Sequence, residues 1–286
     1  MPTTVIDESR TFLDKYVGEW FATGTKKPLF VFLSGPQGSG KSYNGALVQE
    51  YLSKKWGPEG KNVAFASIDD FYLTHEDQEV LEMQFPGNKL FKGRGLPGTH
   101  DMALLNKVIK SILEPREATS LEIPQYDKSK FSGAGDRSAQ GVEVKLPIDI
   151  FVLEGWFLGF RPRMQRAESN DTIIGGDMAD VNARLFGYSD LLWRNPEIHS
   201  LGIVLACDDI NNVYTWRTEQ EHATIKRNGS GMSDADVHKF VDRYMPCYEM
   251  YYDEFAQSES LGSVATLTLG VSLDRSVFAT KTKCIE

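Results

Sequence analysis

Residues Gly35-Pro36-Gln37-Gly38-Ser39-Gly40-Lys41-Ser42 have the composition and spacing needed to hold the phosphates of a nucleoside triphosphate. They follow the apolar run Leu29-Phe30-Val31-Phe32-Leu33, so the pattern predicts a buried strand that turns through glycines into a helix at Lys41. The glycines let backbone N–H groups curl inward, with no Cβ in the path of the phosphates. The N-terminus of the following helix adds its positive dipole end at the same spot. Lys41 then sits where it neutralises the β- and γ-phosphates, and the Ser42 hydroxyl where it ligates Mg²⁺.

Phosphate binding does not say what becomes of the phosphate; acidic residues further along the chain narrow the answer. Three more apolar runs end on carboxylates: 63–68 on Asp69-Asp70, 148–153 on Glu154, and 201–206 on Asp208-Asp209. A kinase acting on an alcohol needs a carboxylate near the γ-phosphate to take the hydroxyl proton. Asp69 and Asp70 are both candidates. Neighbours on an extended segment point to opposite sides, so one faces the reaction while the other caps the following turn. Glu154 suits a metal-orienting role, as a hard oxygen donor holding a Mg²⁺-bound water. No N-K-x-D guanine motif is present, and the strand ending in Glu154-Gly155 lacks the Asp-Glu pair of ATPase motors. A GTPase and a motor are thereby disfavoured.

These residues must be delivered by a sheet. Near-continuous apolar runs at 29–33, 63–68, 148–153, 201–206 and 264–269 alternate with helical patterns. That alternation predicts an α/β fold, a three-layer sandwich with a mainly parallel sheet covered by helices on both faces. Ligands in such sheets gather at the carboxyl ends of the strands, where each of these acidic residues falls. An amphipathic helix is predicted over 8–21, with Phe12, Leu13, Tyr16, Val17, Trp20 and Phe21 on one face. Residues 232–255 read as helical with a break near Pro246. There, Val237, Phe240, Val241, Tyr244, Tyr248 and Tyr251 form a stripe that reads as core. The polar stretch 167–171 and the Gly/Ser-rich stretch 128–141 read as loops.

The combination resembles the phosphoribulokinase, uridine kinase and pantothenate kinase group of small-metabolite kinases. Ser67-Ile68-Asp69-Asp70-Phe71-Tyr72 and Leu153-Glu154-Gly155-Trp156 carry the likeness. Within the group, three segments are most similar to the plant and fungal D-glycerate 3-kinase branch: Arg94-Gly95-Leu96-Pro97-Gly98-Thr99-His100-Asp101, Pro124-Gln125-Tyr126-Asp127-Lys128-Ser129 and Gly135-Asp136-Arg137. The resemblance implies ATP and Mg²⁺ as cofactors and Asp69 as the catalytic aspartate. It also implies an arginine-bearing lid, with Arg217 first by position and Lys226 or Arg227 as alternates. An anionic acceptor such as D-glycerate calls for Arg94, Arg137 and His100, since a guanidinium grips carboxylate bidentately. Tyr126 and Tyr72 add hydroxyl donors. Pantothenate- or uridine-type acceptors, or a nucleotide-binding regulatory protein without turnover, are the competing readings.

Composition sets the outer bounds. The 286 residues, 41% apolar and 25% charged, suit one α/β domain over 1–286. Within it, the acceptor-binding insertions fall around 72–141 and the lid around 216–232. A formal net charge of −9 argues against a nucleic-acid surface. Cys207, Cys247 and Cys284 are too scattered for a disulfide framework or a zinc site and point to a reducing compartment. No run approaches the ~18 apolar residues of a membrane span. With no basic, apolar leader at the start, the expectation is a cytoplasmic protein, a nuclear pool being compatible, and a monomer by default.

Overall fold

The computed structural model describes residues 3–114, 119–164 and 174–285; the stretch 167–171 lies outside them. In chain order the elements are α1 (Val5–Ala22), β1 (Leu29–Ser34), α2 (Lys41–Trp56), β2 (Val63–Ser67), α3 (His75–Gln84) and α4 (Met102–Leu113). Four short strands follow, β3 (Ser120–Ile123), β4 (Tyr126–Asp127), β5 (Asp136–Arg137) and β6 (Val142–Lys145). The chain continues through β7 (Ile150–Gly155), α5 (Asp177–Leu191), β8 (His199–Cys207), α6 (Asn212–Asn228), α7 (Asp234–Asp242), α8 (Met245–Ser258), β9 (Ala265–Val271) and β10 (Val277–Cys284).

The main sheet has the order β10-β9-β8-β1-β7-β2. Every pairing in it is parallel except β10 with β9. All six residues of β1 and of β7 are buried, so both faces of the sheet centre are covered. The five apolar runs of the sequence are the five parallel strands. The antiparallel edge strand β10 escapes the apolar-run criterion, because Thr280, Lys281, Thr282 and Lys283 leave it polar and exposed.

Register fixes the site. Glu154 on β7 lies opposite Leu33 on one side and Ser67 on the other. The start of the glycine loop, Glu154 and the segment carrying Asp69 therefore stand side by side at the carboxyl edge. The break in the late helical region falls at Arg243–Tyr244, and Pro246 belongs to the first turn of α8, where its missing N–H costs nothing. Tyr244, Tyr248 and Tyr251 are buried against Trp156 and Phe160, as the core reading of that stripe requires.

Two ladders build the insertion between α4 and β7. β3 pairs with β6, and β4 with β5, Tyr126 lying opposite Arg137. The loop closing the second ladder bends sharply: Phe131 and Ser132 both have positive φ, 49° and 54°, before Gly133 and Gly135. No described helix is long and apolar enough to cross a membrane.

Candidate active site

The glycine loop closes on the first turn of α2, with Gly38 and Gly40 at φ 81° and 94°. Position 38 has no room for anything larger: a Cβ there would lie 2.3 Å from the Trp216 Cβ. Trp216 is fully buried, so α6 is seated directly on the phosphate loop. Two further contacts hold the loop from behind. The Gln37 N–H donates to the Tyr248 hydroxyl at 3.0 Å, and Arg275 Nε donates to the Gly38 carbonyl at 2.8 Å.

Arg275 comes from the turn between β9 and β10. Its guanidinium lies 5.5 Å from the Trp216 ring centroid and pairs with Glu219 at 3.0 Å. Its own backbone is left-handed, φ 64°, a conformation a non-glycine residue keeps only when its surroundings impose it. Here Asp274 accepts from the hydroxyls of Ser272 and Ser276 and from the Ser276 N–H. Arg275 thereby pins the loop backbone at Gly38. Arg275→Ala is expected to weaken ATP binding about 10-fold, the loss of one charge-assisted hydrogen bond, with a smaller change in kcat. Titration calorimetry with ATP and steady-state kinetics check it.

Lys41 is 8% exposed, and its ammonium donates to the Pro36 carbonyl at 3.0 Å. Burial pushes its pKa down; the carboxylates of Glu154 and Asp69 oppose that, while the charges of Lys128 and Arg217 add to it. These causes place Lys41, Glu154, Asp69, Lys128 and Arg217 in one electrostatic cluster. Ser42 Oγ donates to Glu154 Oε1 at 3.1 Å, bringing two oxygen donors together at the mouth of the loop.

The two aspartates stand not on an extended segment but in a 3-10 turn, Ile68–Phe71, that follows β2, and they divide there by hydrogen bonding. Asp70 is a cap: it accepts from the Ser67 N–H at 2.9 Å, in a reciprocal box with the Ser67 hydroxyl, and from the Tyr126 N–H at 3.3 Å. Burial raises its pKa. Asp69 faces the cluster. Its Oδ1 accepts from the Tyr72 hydroxyl at 2.8 Å and its Oδ2 from Lys128 Nζ at 2.6 Å. Burial alone would raise this carboxyl, but the Lys128 charge and the two hydrogen bonds outweigh it and hold the group at about 2.

His100 is buried, 3% exposed, and stacked on Tyr72 at 4.5 Å between ring centroids. Its Nδ1 shares a hydrogen bond with the Tyr188 hydroxyl at 2.9 Å; Nε2 is buried with no partner among the described residues. Burial lowers its pKa to about 3, partly opposed by Asp69, so the imidazole is neutral near pH 7. The helix behind it is capped by Asp101, which accepts from the Leu104 N–H at 2.9 Å.

Between the ordinary value of 6.5 and about 3, the unfolded chain takes up a proton that the folded His100 refuses, so stability falls as pH drops through that window. The loss is about 2 kcal/mol between pH 7 and pH 5. His100→Asn, which retains a polar atom near the Nδ1 position, is expected to remove that part of the decline. Urea titrations of both proteins at the two pH values measure it.

Arg94 and Arg137 lie in different circumstances. Arg137 donates through one nitrogen to the Tyr72 carbonyl at 3.0 Å and to Asp101 at 3.1 Å, tying the ladder to the start of α4. Arg94 forms no ion pair among the described residues; it donates to the carbonyls of Gly133 and Ala134 and lies 5.5 Å from the Tyr126 ring centroid. The backbone at Gly95 is equally committed, since a Cβ there would fall 1.9 Å from the Tyr244 hydroxyl. Its carbonyl accepts from Trp156 Nε1 at 2.9 Å. Arg217 contacts Gln220 and lies 5.2 Å from the Phe240 ring centroid, its Nε buried and unpartnered among the described residues. Gly229 ends α6 in the left-handed conformation, with its N–H donating to the Ile225 carbonyl at 2.7 Å.

Sequence reasoning did not single out Lys128, Trp216 as a loop support, Tyr248 or Arg275 for this site. Lys128 stands inside the Pro124–Ser129 segment, but only its contact with Asp69 distinguishes it from any loop lysine. Arg275 and Tyr248 lie more than 200 positions from the loop they support, and no spacing signals that.

No family model matches the chain. Among curated proteins it is 59% identical over 286 residues to the probable ATP-dependent kinase TDA10 of Saccharomyces cerevisiae, covering 99% of this chain and 98% of that one. It is 34% identical over 250 residues to the chloroplastic D-glycerate 3-kinase of Arabidopsis thaliana, covering 86% of this chain and 53% of that longer one. Among solved structures, the D-glycerate 3-kinase from Cryptococcus neoformans superposes with a TM-score of 0.81 at 33% identity, covering 98% of this chain and all of that one. A phosphate loop fed by β1, carboxylates at the neighbouring strand ends and likeness to named kinases along nearly its whole length have one common reading: the chain belongs to this family of ATP-dependent P-loop kinases.

Proposed function

We propose that this kinase transfers the γ-phosphate of ATP to a hydroxyl of a small anionic metabolite, with D-glycerate the acceptor. The observation that carries the reading is the meeting of the Gly35–Ser42 loop, Asp69 and Glu154 at one sheet edge, with Lys128 beside Asp69 and Arg94 on the facing insertion. Likeness to D-glycerate 3-kinases at 33% identity over 98% of the chain supports the choice of acceptor.

In this reading ATP lies with its β- and γ-phosphates on Gly35, Pro36, Gln37, Gly38, Ser39, Gly40, Lys41 and Ser42. The paired oxygens of Ser42 and Glu154 fit a hard cation with few protein ligands, as Mg²⁺ is when it also binds phosphate. Mg²⁺ there supplies charge neutralisation for the transferring group. Segment 72–141 forms the acceptor side, with Arg94, His100, Tyr126 and Arg137 around the substrate, and segment 216–232 forms the lid. The acceptor oxygen bonds to the γ-phosphorus as the bond to the β,γ-bridging oxygen breaks. The hydroxyl proton passes to Asp69, and ADP leaves with the electron pair. Lys41 and Arg217 stabilise the charge spread over the transferring phosphoryl group.

An ADP-release assay with a panel of acceptors tests this. D-glycerate is expected to stimulate ATP consumption well above pantothenate and uridine. Stimulation by one of those instead reassigns the acceptor, and stimulation by none favours a nucleotide-binding protein without turnover.

A further inference from the structure

Both oxygens of Asp69 are taken in this structure, Oδ1 by the Tyr72 hydroxyl and Oδ2 by Lys128 at 2.6 Å. Each oxygen keeps a second lone pair, but the ammonium held against Oδ2 lowers the carboxylate's affinity for a proton. Asp69 becomes a stronger base when that partner gives way. Tyr72 is buried, 4% exposed, and packed between His100 and Tyr126, so its hydroxyl is fixed. Lys128 is the partner that can leave. Its side chain is 57% exposed, and Asp69 is its one ion-pair partner among the described residues.

The loop carrying Lys128 stays in place during such a move. Its base is pinned: Tyr126 pairs with Arg137, Arg137 with Asp101, and Asp136 accepts from the His75 N–H at 3.0 Å. Its tip is held too, Phe131 stacking on His75 at 3.9 Å between ring centroids and Arg94 donating to the Gly133 and Ala134 carbonyls. The exposed Lys128 side chain can therefore swing while its attachment to the sheet edge stays put.

Where it goes is set by charge. Leaving Asp69, the ammonium loses its ion-pair partner within a cluster that holds Lys41, Arg217 and Arg94 and, of the carboxylates, keeps Glu154. An uncharged acceptor would leave it without a directly paired carboxylate; an acceptor carrying its own carboxylate would replace the pair with another. We propose that Lys128 is a specificity-determining residue that exchanges Asp69 for the carboxylate of the acceptor, so that an anionic acceptor strengthens the base. This rests on the reading of Asp69 as the base and goes beyond it: Lys128, ahead of Arg137, is the residue that selects for negative charge.

The test uses acceptors matched except for the carboxylate, D-glycerate with glycerol and pantothenate with pantothenol, on the full chain and its Lys128→Met and Lys128→Arg variants. In Lys128→Met, kcat/KM for the carboxylate acceptor is expected to fall about 10- to 100-fold further than for its uncharged partner, as loss of a charge-assisted pair dictates. The loss appears mainly in KM, and Lys128→Arg recovers part of it. Because Lys128 is exposed, thermal midpoints are expected to stay within a few degrees of the parent protein. An equal fall for both members of a pair, or no fall for the carboxylate, overturns the proposal. So does a parent enzyme that turns over only uncharged acceptors or none. A parent that prefers pantothenate overturns the D-glycerate reading alone, and Lys128 is then judged on the pantothenate pair.

Discussion

Replacing Asp69 with asparagine is expected to lower turnover about 100- to 10,000-fold while leaving ATP affinity within a few-fold of the parent protein. The change is isosteric, and the introduced amide keeps a bond to each neighbour if its oxygen accepts from Lys128 and its NH2 donates to the Tyr72 hydroxyl, so the local geometry survives. What is lost is the basic site for the acceptor proton. Asp70 is not expected to substitute, because its carboxylate is held as a cap on the backbone N–H groups of Ser67 and Tyr126. Calorimetric ATP binding set beside steady-state kcat separates the two effects. Turnover within about threefold of the parent would remove Asp69 from proton transfer.

Lys41→Met is expected to cut kcat by about 100- to 1000-fold, the range for loss of a donor aimed at developing negative charge. ATP affinity is expected to fall as well, since the charge acts on the bound β- and γ-phosphates. Stability is expected to move little or to rise. The Lys41 ammonium is buried and its charged form is penalised by burial more than by any other cause, so a thioether of similar length removes a desolvation cost from the folded state. A raised or unchanged thermal midpoint together with collapsed turnover would mark Lys41 as a residue kept for chemistry. A large drop in midpoint would instead assign it a structural role. Arginine is not expected to rescue the activity, because a planar guanidinium does not fit a pocket that leaves Lys41 only 8% exposed.

The parts of this site legible in the sequence are those set by local pattern. The glycine loop is contiguous; β1 and β7 are apolar because both sheet faces are buried around them, while the edge strand β2 that leads to Asp69 alternates buried with half-buried residues. The choice of Asp69 over Asp70 followed from the resemblance and not from an extended backbone, since both residues lie in the single 3-10 turn Ile68–Phe71, where Asp70 closes a capping box on Ser67. The supports of the loop were not legible, because each is made by residues distant in sequence: Tyr248 on α8, Trp216 on α6 and Arg275 beyond β9. The occupancy of Asp69 was equally hidden. Lys128 follows Asp127 in a polar loop, and nothing in its neighbours indicates that the β4–β5 ladder returns it to the end of β2.

The distribution of charge gives the site a consistent logic. A chain of formal charge −9 binds a polyanion by concentrating cations at one sheet edge, where Lys41, Lys128, Arg94 and Arg217 meet two carboxylates. In this arrangement the groups neutralise one another: Lys41 is held by the Pro36 carbonyl and flanked by Glu154, and Lys128 is held by Asp69. Binding both substrates would exchange those internal partners for phosphate and acceptor.

Transfer of a phosphoryl group to an acceptor hydroxyl is tested most directly by ³¹P NMR of the full chain with ATP, Mg²⁺ and D-glycerate. A new phosphomonoester resonance is expected to grow in step with ADP and to be absent from the Asp69→Asn reaction. ADP accompanied only by inorganic phosphate, or no ADP at all, would contradict that transfer.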